Sequence, residues 1–239
     1  MGLSEWVRPS PPGGASPTLA SVEPSEAFAR TADLRRQAAD LLDTLTPEQW
    51  EHPSLCGAWT VRDVAAHLVV PLTVSLPAFA LAMVKARGDF DRANDALARG
   101  AARRLGDQVA ATLRERAHRR FVPPGGTASF QLVDVIVHSQ DIRRPLGLTH
   151  AYAASDLREA LTVVTSPGAE RAFTPRRRLE GLALLATDTD EGEGPFRFGE
   201  GAPVVGPAEA ILLALTGRRA ALADLEGEGV DLLASRLAR

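Results

Sequence analysis

One segment near the middle of the chain, residues 128–144, constrains the fold more than any other. Its apolar residues lie around most of the circumference of a helix, which indicates burial on several sides. They are Phe130, Leu132, Val133, Val135, Ile136, Val137 and Ile142. The same segment places Asp134, His138 and Asp141 at spacings of four and three, so these side chains share one helix face. Because a buried carboxylate is costly unless it is paired, hydrogen-bonded or metal-bound, this helix must pack among elements that satisfy Asp134.

The segments that precede this helix predict the other members of a bundle. From about residue 25 the sequence predicts a first helix. Arg35 lies outside the apolar face of this helix. That face repeats at spacings of four, three and four residues, at Leu34, Ala38, Leu41 and Leu45. Thr60 begins a second helix through a capping box. Further helical stretches at residues 91–104 and 107–120 complete a pattern that suits a helical bundle with long connections.

A charge-free stretch, residues 64–84, resembles a membrane span because it contains no Asp, Glu, Lys or Arg. His67 and two prolines, Pro71 and Pro77, interrupt it. A buried bundle helix that is kinked at the prolines explains the apolar composition without lipid. We therefore predict no membrane segment and no membrane partner.

The character of the sequence changes after about Gly147. Apolar runs become shorter and alternate with Gly-rich and acidic turns, which is typical of a small α+β domain. The predicted elements of this half are a helix at 155–165, strands at 179–188 and 195–199, a helix at 207–217 and a short helix after Gly229.

The predicted organisation is a flexible tail at residues 1–24, a metal-binding helical bundle at 25–150 and a small α+β domain at 151–239. A net charge of −3 offers no basic surface for phosphate backbones, so nucleic acid is not an expected partner. Cys56 is the single cysteine, which excludes an intramolecular disulfide. The N-terminus lacks the apolar core of a secretory signal, and together these features predict a cytoplasmic protein.

His67 lies in an apolar helix and supplies the second feature that needs explanation. If its helix faces residues 128–144, His67, Asp134 and His138 offer two nitrogens and one oxygen to a divalent metal, and this set suits zinc. Three protein ligands would leave a fourth position for water or substrate. Two metal-free alternatives stay open: His67 as a hydrogen-bonded core residue, and a buried Asp134–His138 hydrogen bond. Asp141 is either an acceptor for an imidazole N–H or a partner of Arg143 or Arg144.

Other candidate side chains have simpler explanations. Cys56 could act as a nucleophile, but a lone cysteine is usually a small apolar residue. Trp59 is expected to pack as a hydrophobic staple before the cap at Thr60. The basic run at residues 176–178 is expected to be solvated, although it could attract an anionic substrate. Three histidines in polar or loop segments are expected at the surface: His52, His118 and His150.

Two phrases resemble a known family. LCGAWTVRDVAAHLV at residues 55–69, followed by DVIVHSQDIRRPLGL at 134–148, resembles the mycothiol-dependent maleylpyruvate isomerase family, within the DinB-like four-helix-bundle superfamily. The C-terminal stretch from LALLATDTD to GVDLL resembles the sterol-carrier-protein-like domain that follows the bundle in that family. The likeness covers nearly everything from about residue 25 onward.

The resemblance implies a zinc ion held at the positions of His67, Asp134 and His138. It also implies mycothiol as a cofactor, whose thiolate adds to a small electrophilic substrate. The family pattern has Glu at the position of Asp134, so a metal here must lie nearer that helix or be held more weakly. The expected function is a zinc-dependent enzyme that uses a low-molecular-weight thiol for isomerisation or S-transfer, with no catalytic side chain indicated beyond the metal ligands. The alternative is a non-catalytic protein that binds a metal or a small ligand on the same scaffold.

Overall fold

The computed structural model describes residues 23–122, 126–170, 172–190, 192 and 194–237. The predicted tail at residues 1–24 falls almost wholly outside these ranges. The helices of the N-terminal half are α1 (Pro24–Asp43), α2 (Pro47–Trp50), α3 (Val61–Thr73), α4 (Leu76–Lys85), α5 (Phe90–Leu105), α6 (Val109–Glu115) and α7 (Ser129–Arg143).

Four of these helices form the bundle. Helix α7 packs against α1 and α3, and α6 packs against the same two helices, so the four close a ring. The centre of the ring is largely apolar because α1 turns its apolar face inward and α7 is apolar on most sides. Helix α5 packs on α3, and α4 packs on α5. The predicted bundle is therefore confirmed.

The start of α3 follows the predicted capping box. The Thr60 N–H donates to Asp63 Oδ2 at 3.1 Å, and the Asp63 N–H donates to Thr60 Oγ1 at 3.3 Å. This reciprocal pair satisfies two backbone donors at the helix end and fixes where α3 begins. His67 consequently lies about two turns into a helix whose other faces are buried.

The charge-free stretch at residues 64–84 differs from its prediction as one buried, kinked helix. Helix α3 continues past Pro71 and ends at Thr73, and Ser75 caps the separate helix α4. Pro77 is tolerated because it lies in the first turn of α4, where a missing N–H breaks no helical bond. Helix α4 contains no buried residue, and Leu76 is 80% exposed. No helix in the described part of the chain has the length and apolarity needed to cross a membrane.

The C-terminal half is a small α+β unit, as predicted. Its strands form one sheet in the order β2-β1-β3, with β1 antiparallel to β2 and parallel to β3. Strand β3 is not predicted from sequence, because its Pro203 is typical of an edge strand and weakens the strand pattern. The elements are α8 (Ala154–Thr165), β1 (Leu182–Ala186), β2 (Arg197–Phe198), β3 (Ala202–Gly206), α9 (Ala208–Leu215) and α10 (Gly229–Leu237).

The two halves share one hydrophobic core. Helix α8 packs against both α7 and α9, and a single apolar cluster runs from α1 through α7 to β1 and α9. The predicted division between residues 25–150 and 151–239 falls in the connection between α7 and α8, and it stays a prediction. This shared core places the turn after α9 close to the side of α7 that carries ionisable residues.

Arg35 lies inside the bundle rather than on an outer face. It is 2% exposed. Its Nη1 donates to the backbone oxygens of Ala117 at 3.0 Å and Arg119 at 2.9 Å, and its Nη2 donates to Gln131 Oε1 at 2.9 Å. Periodicity misplaces Arg35 because a long cationic side chain can enter a core where carbonyl oxygens receive it.

We expect Arg35→Met to lower the free energy of unfolding by about 2–4 kcal/mol, since two buried acceptors and one partly buried acceptor lose their donor. Urea denaturation followed by circular dichroism measures the change. The matched control is Arg36→Met, which removes an exposed guanidinium that pairs with the exposed Asp33, and it should change stability by less than about 0.5 kcal/mol. Equal losses in the two variants would contradict the structural role of Arg35.

Candidate metal centre

Helices α3 and α7 bring together the three residues singled out from the sequence. Oδ1 of Asp134 lies 3.5 Å from Nε2 of His67 and 3.5 Å from Nε2 of His138. The two imidazole rings are 4.5 Å apart between centroids and inclined by 73°. One ligand atom from each residue lies within 4.8 Å of the other two. The group therefore has the composition and the compactness that a divalent metal requires.

The two 3.5 Å separations suit metal ligands better than hydrogen-bonded partners. A good N–H···O hydrogen bond spans about 2.7–3.2 Å. Two ligands that are each about 2.1 Å from a tetrahedral zinc ion lie about 3.4 Å from one another. The Asp134–His138 spacing is thus long for the metal-free hydrogen bond, and the two separations together fit two edges of a coordination tetrahedron.

The hydrogen bond of His138 also favours a cation between His138 and Asp134. Its Nδ1 lies 2.9 Å from Oδ2 of Asp141, and because a carboxylate only accepts, Nδ1 must carry the proton. In the neutral ring Nε2 then presents a lone pair toward Asp134. Two acceptors that face each other need a cation between them, either a proton or a metal.

Asp134 is ionised at neutral pH. Burial raises the pKa of this carboxyl group, but the neighbouring His67, His138 and Arg35 together outweigh burial and bring it to about 2. The side chains of the group are 11–20% exposed, so they are sheltered but still reach solvent. Nδ1 of His67 is buried and has no hydrogen-bond partner among the described residues, and Nε2 is the nitrogen that faces Asp134.

Asp141 connects the centre to the C-terminal half. Its side chain is fully buried and accepts two bonds from Arg218, from Nη2 to Oδ2 at 2.6 Å and from Nε to Oδ1 at 2.9 Å. Burial raises the pKa of Asp141, but His138 and Arg218 outweigh it and hold the pKa below its usual range. Asp141 is therefore the acceptor for an imidazole N–H, the first of the two sequence-based alternatives. Arg144 pairs instead with Glu209.

Arg218 is a residue of this site that sequence reasoning missed. It follows α9 in the chain and lies 77 positions from Asp141. Only the demand that Asp141 be satisfied hints at an arginine, and no local pattern identifies which one. Next to Arg218 lies a cleft of about 370 Å³, lined by Ser54, Leu55, Gly57, Gly217, Arg218, Arg219 and Ala220.

Trp59 forms a wall of the centre in addition to preceding the Thr60 cap. Its ring lies 5.4 Å from the ring of His67. Its indole N–H donates to Oδ1 of Asp95 at 2.7 Å, and Arg99 Nε donates to the same oxygen at 2.9 Å. These bonds hold the indole in place beside His67, where it restricts the movement of the imidazole.

Cys56 belongs to a second possible group with His138 and Asp141. This group fits a metal less well, because the guanidinium of Arg218 lies against Asp141 and repels a cation. Burial raises the pKa of the Cys56 thiol to about 11, with the charge of Asp141 acting in the same direction. A thiol that stays protonated at neutral pH is a poor nucleophile.

We expect Cys56 to react with iodoacetamide at pH 7 about a hundredfold more slowly in the folded protein than after denaturation, because so little thiolate is present. The rate should rise about tenfold per pH unit and level off near pH 11. Mass spectrometry of the alkylated protein provides the measurement, and the denatured chain is its own reference. Rapid labelling at pH 7 would contradict the protonated thiol.

The remaining sequence candidates lie elsewhere, and no described residue among them joins the metal-ligand group. His52 and His118 are exposed, as expected. His150 is only partly exposed and contacts Gln37. Arg176 and Arg177 are solvated, whereas Arg178 donates to the backbone oxygen of Leu215 at 2.5 Å.

The chain is similar to known proteins in sequence and in fold. Residues 31–143 match the family model described as mycothiol maleylpyruvate isomerase N-terminal domain. A crystal structure of the mycothiol-dependent maleylpyruvate isomerase is similar, at 17% sequence identity and a TM-score of 0.51, over 87% of this chain and 93% of that chain. A mutant of that enzyme matches at 16% identity, with the same TM-score and coverage. No curated protein matches significantly. At such identities the structural likeness shows the fold alone.

Proposed function

Because residues 31–143 place the helical part of this chain in the mycothiol maleylpyruvate isomerase N-terminal domain family, we propose that the protein is a zinc-dependent enzyme that uses a low-molecular-weight thiol such as mycothiol. The reaction is isomerisation of, or S-transfer to, a small electrophilic substrate. The family predicted from sequence is confirmed, and the metal, the thiol and the reaction are the proposal. The observation that carries it is the group of His67, Asp134 and His138, with its 3.5 Å separations.

The donor set suits thiol chemistry. Two neutral imidazoles and one carboxylate carry a single negative charge. A bound divalent metal would keep a net positive charge in this set and would stabilise a thiolate over its thiol. Among the described residues the group has three members, so a fourth position stays available for a ligand from solution.

Side chains near the proposed ligands orient the imidazoles, and a cleft near Arg218 leaves space for a small molecule. Asp141 accepts the Nδ1 proton of His138 and so keeps Nε2 directed toward the centre. Trp59 flanks His67. The cleft of about 370 Å³ lies beside Arg218, which pairs with Asp141, and it offers space for a small molecule, although none of the three proposed ligands lines it. The 11–20% exposure of the ligand side chains supports a site that solvent reaches.

The shorter acid at position 134 does not prevent the proposed site. Asp134 stands where the family pattern has Glu, yet its Oδ1 is equally distant from both imidazoles, at 3.5 Å. Because aspartate is one methylene shorter than glutamate, this set of residues would hold a metal nearer α7 or would bind it more weakly.

Metal analysis followed by thiol titration tests the proposal. The chain is purified without a polyhistidine tag, analysed by plasma mass spectrometry and titrated with mycothiol in a calorimeter. We expect about one zinc per chain and saturable binding of mycothiol, with S-methylated mycothiol at least tenfold weaker because it forms no thiolate. Isomerisation of maleylpyruvate is the first reaction to assay.

Other results of the metal analysis and the thiol titration would contradict the proposal. Stoichiometric zinc without affinity for mycothiol would replace the enzyme with the non-catalytic metal-binding alternative. A chain without metal after growth in zinc-supplemented medium would overturn both the zinc-dependent enzyme and the non-catalytic metal-binding alternative. Equal affinity for the free and methylated thiols would show that the thiol does not meet the metal.

A further inference from the structure

A second cleft lies at the far end of α7, between α1 and the loop at residues 147–150. It has a volume of about 550 Å³, within the range of small-molecule sites. Arg143 lines it, together with Gln37 and His150. None of the three proposed metal ligands lines this cleft. It is therefore separate from the candidate metal centre.

Arg143 is a buried cation that pairs with no carboxylate among the described residues. The residue is 9% exposed, and its Nε is buried without a hydrogen bond. The other arginines of this region differ, because Arg144 pairs with Glu209 and Arg218 pairs with Asp141. Among the described residues, the neighbour that favours this charge is the phenol of Tyr152. Burial raises the pKa of that phenol, so Tyr152 is neutral and brings no negative charge to Arg143. A buried guanidinium is costly unless an anion compensates it.

The positive charge of Arg143 acts on another residue that lines the cleft, His150. Burial lowers the pKa of His150, and the positive charge of Arg143 lowers it further. The one acid that lines the cleft, Asp40, lies at an exposed position and is paired with Arg114 at 2.7 Å. Arg143 thus faces an open space in which its charge is not cancelled by a paired carboxylate.

We propose that this cleft binds a small organic carboxylate through Arg143. A planar guanidinium matches a carboxylate with two parallel hydrogen bonds. Gln37 and Thr149 add neutral donors at the opening, and Leu41 and Leu148 supply an apolar wall for the body of the ligand. One cation with Asp40 nearby favours a monoanion over a phosphate dianion. The proposal is independent of the metal centre and of the thiol.

The single tyrosine of the chain provides a reporter. Tyr152 is next to Arg143 in space, and its ring lies 4.5 Å from that of His150. In protein labelled only at tyrosine, sodium benzoate titrated at constant ionic strength should move the one Tyr152 resonance in a saturable way. We expect Arg143→Met to weaken this binding at least tenfold, since it removes a charge-assisted pair.

Two control variants and one alternative variant complete the test. Arg177→Met removes an exposed arginine outside the cleft and should leave the benzoate midpoint unchanged. His67→Ala should also leave it unchanged, because the metal centre is not involved. If Arg143→Met fails to fold, Thr149→Trp fills the mouth of the cleft from an exposed position and should weaken binding by the same order.

The proposal is overturned by any of three results. Wild-type protein whose Tyr152 signal does not saturate with benzoate has no such site. Loss of binding in His67→Ala but not in Arg143→Met would assign the carboxylate to the metal centre. Tighter binding of inorganic phosphate than of benzoate would refute the preference for an organic monoanion.

Discussion

Replacing His67 with alanine should reduce the zinc content from about one ion per chain to less than about a tenth, because two ligands hold a divalent ion far more weakly than three. His67 is the best ligand to remove. Its Nδ1 has no hydrogen-bond partner among the described residues, so the polar contact that the substitution removes is that of Nε2 with Asp134. Plasma mass spectrometry of untagged protein measures the content, and circular dichroism verifies that the bundle is folded.

The matched control for this variant is His52→Ala. His52 is exposed and has only a local contact, at 2.8 Å, with the backbone oxygen of Pro53. Its loss should leave the metal content at the wild-type value. Full zinc occupancy in His67→Ala would refute the proposed ligand set, and equal loss in both variants would indicate adventitious binding to surface histidines.

Replacing Asp141 with asparagine should lower the free energy of unfolding by about 3–5 kcal/mol, because the buried Arg218 loses its anion. The same change frees Nδ1 of His138, so zinc affinity should fall about 10- to 100-fold. Guanidinium denaturation and competition with a chromophoric chelator give the two quantities. Since the pKa of Asp141 is lowered in the folded protein, its stabilising effect is complete above the unfolded pKa. The stability difference should therefore shrink as the pH falls below about 4.

A double-mutant cycle separates the ion pair from general damage at this position. Arg218→Met alone strands the carboxylate of Asp141 and should also be destabilising. In the double variant neither charge is left unpaired, so the combined loss should be at least about 1 kcal/mol smaller than the sum of the single losses. Additive losses would show that the two side chains stabilise the fold independently.

The sequence alone determined the bundle, the helix start at Thr60 and the shared face of Asp134, His138 and Asp141. These features are local, because a 3.6-residue period and a capping box depend only on residues a few positions apart. The grouping of His67, Asp134 and His138 as candidate metal ligands was also accessible to sequence reasoning. Each member is a polar side chain in an apolar helix, and such a residue requires a partner.

The tertiary structure decided how those requirements are met. Arg218 comes from a turn 77 positions away to satisfy Asp141, and Arg35 enters the core although its helical position suggests another face. The exposure of α4 and the edge strand with Pro203 likewise follow from packing between distant segments. Periodicity reports that a face is buried, but it does not report what buries it. The partners of long side chains are set only when the helices and the sheet have come together. For this reason only the folded chain shows that Arg143 is a buried cation that pairs with no carboxylate among the described residues.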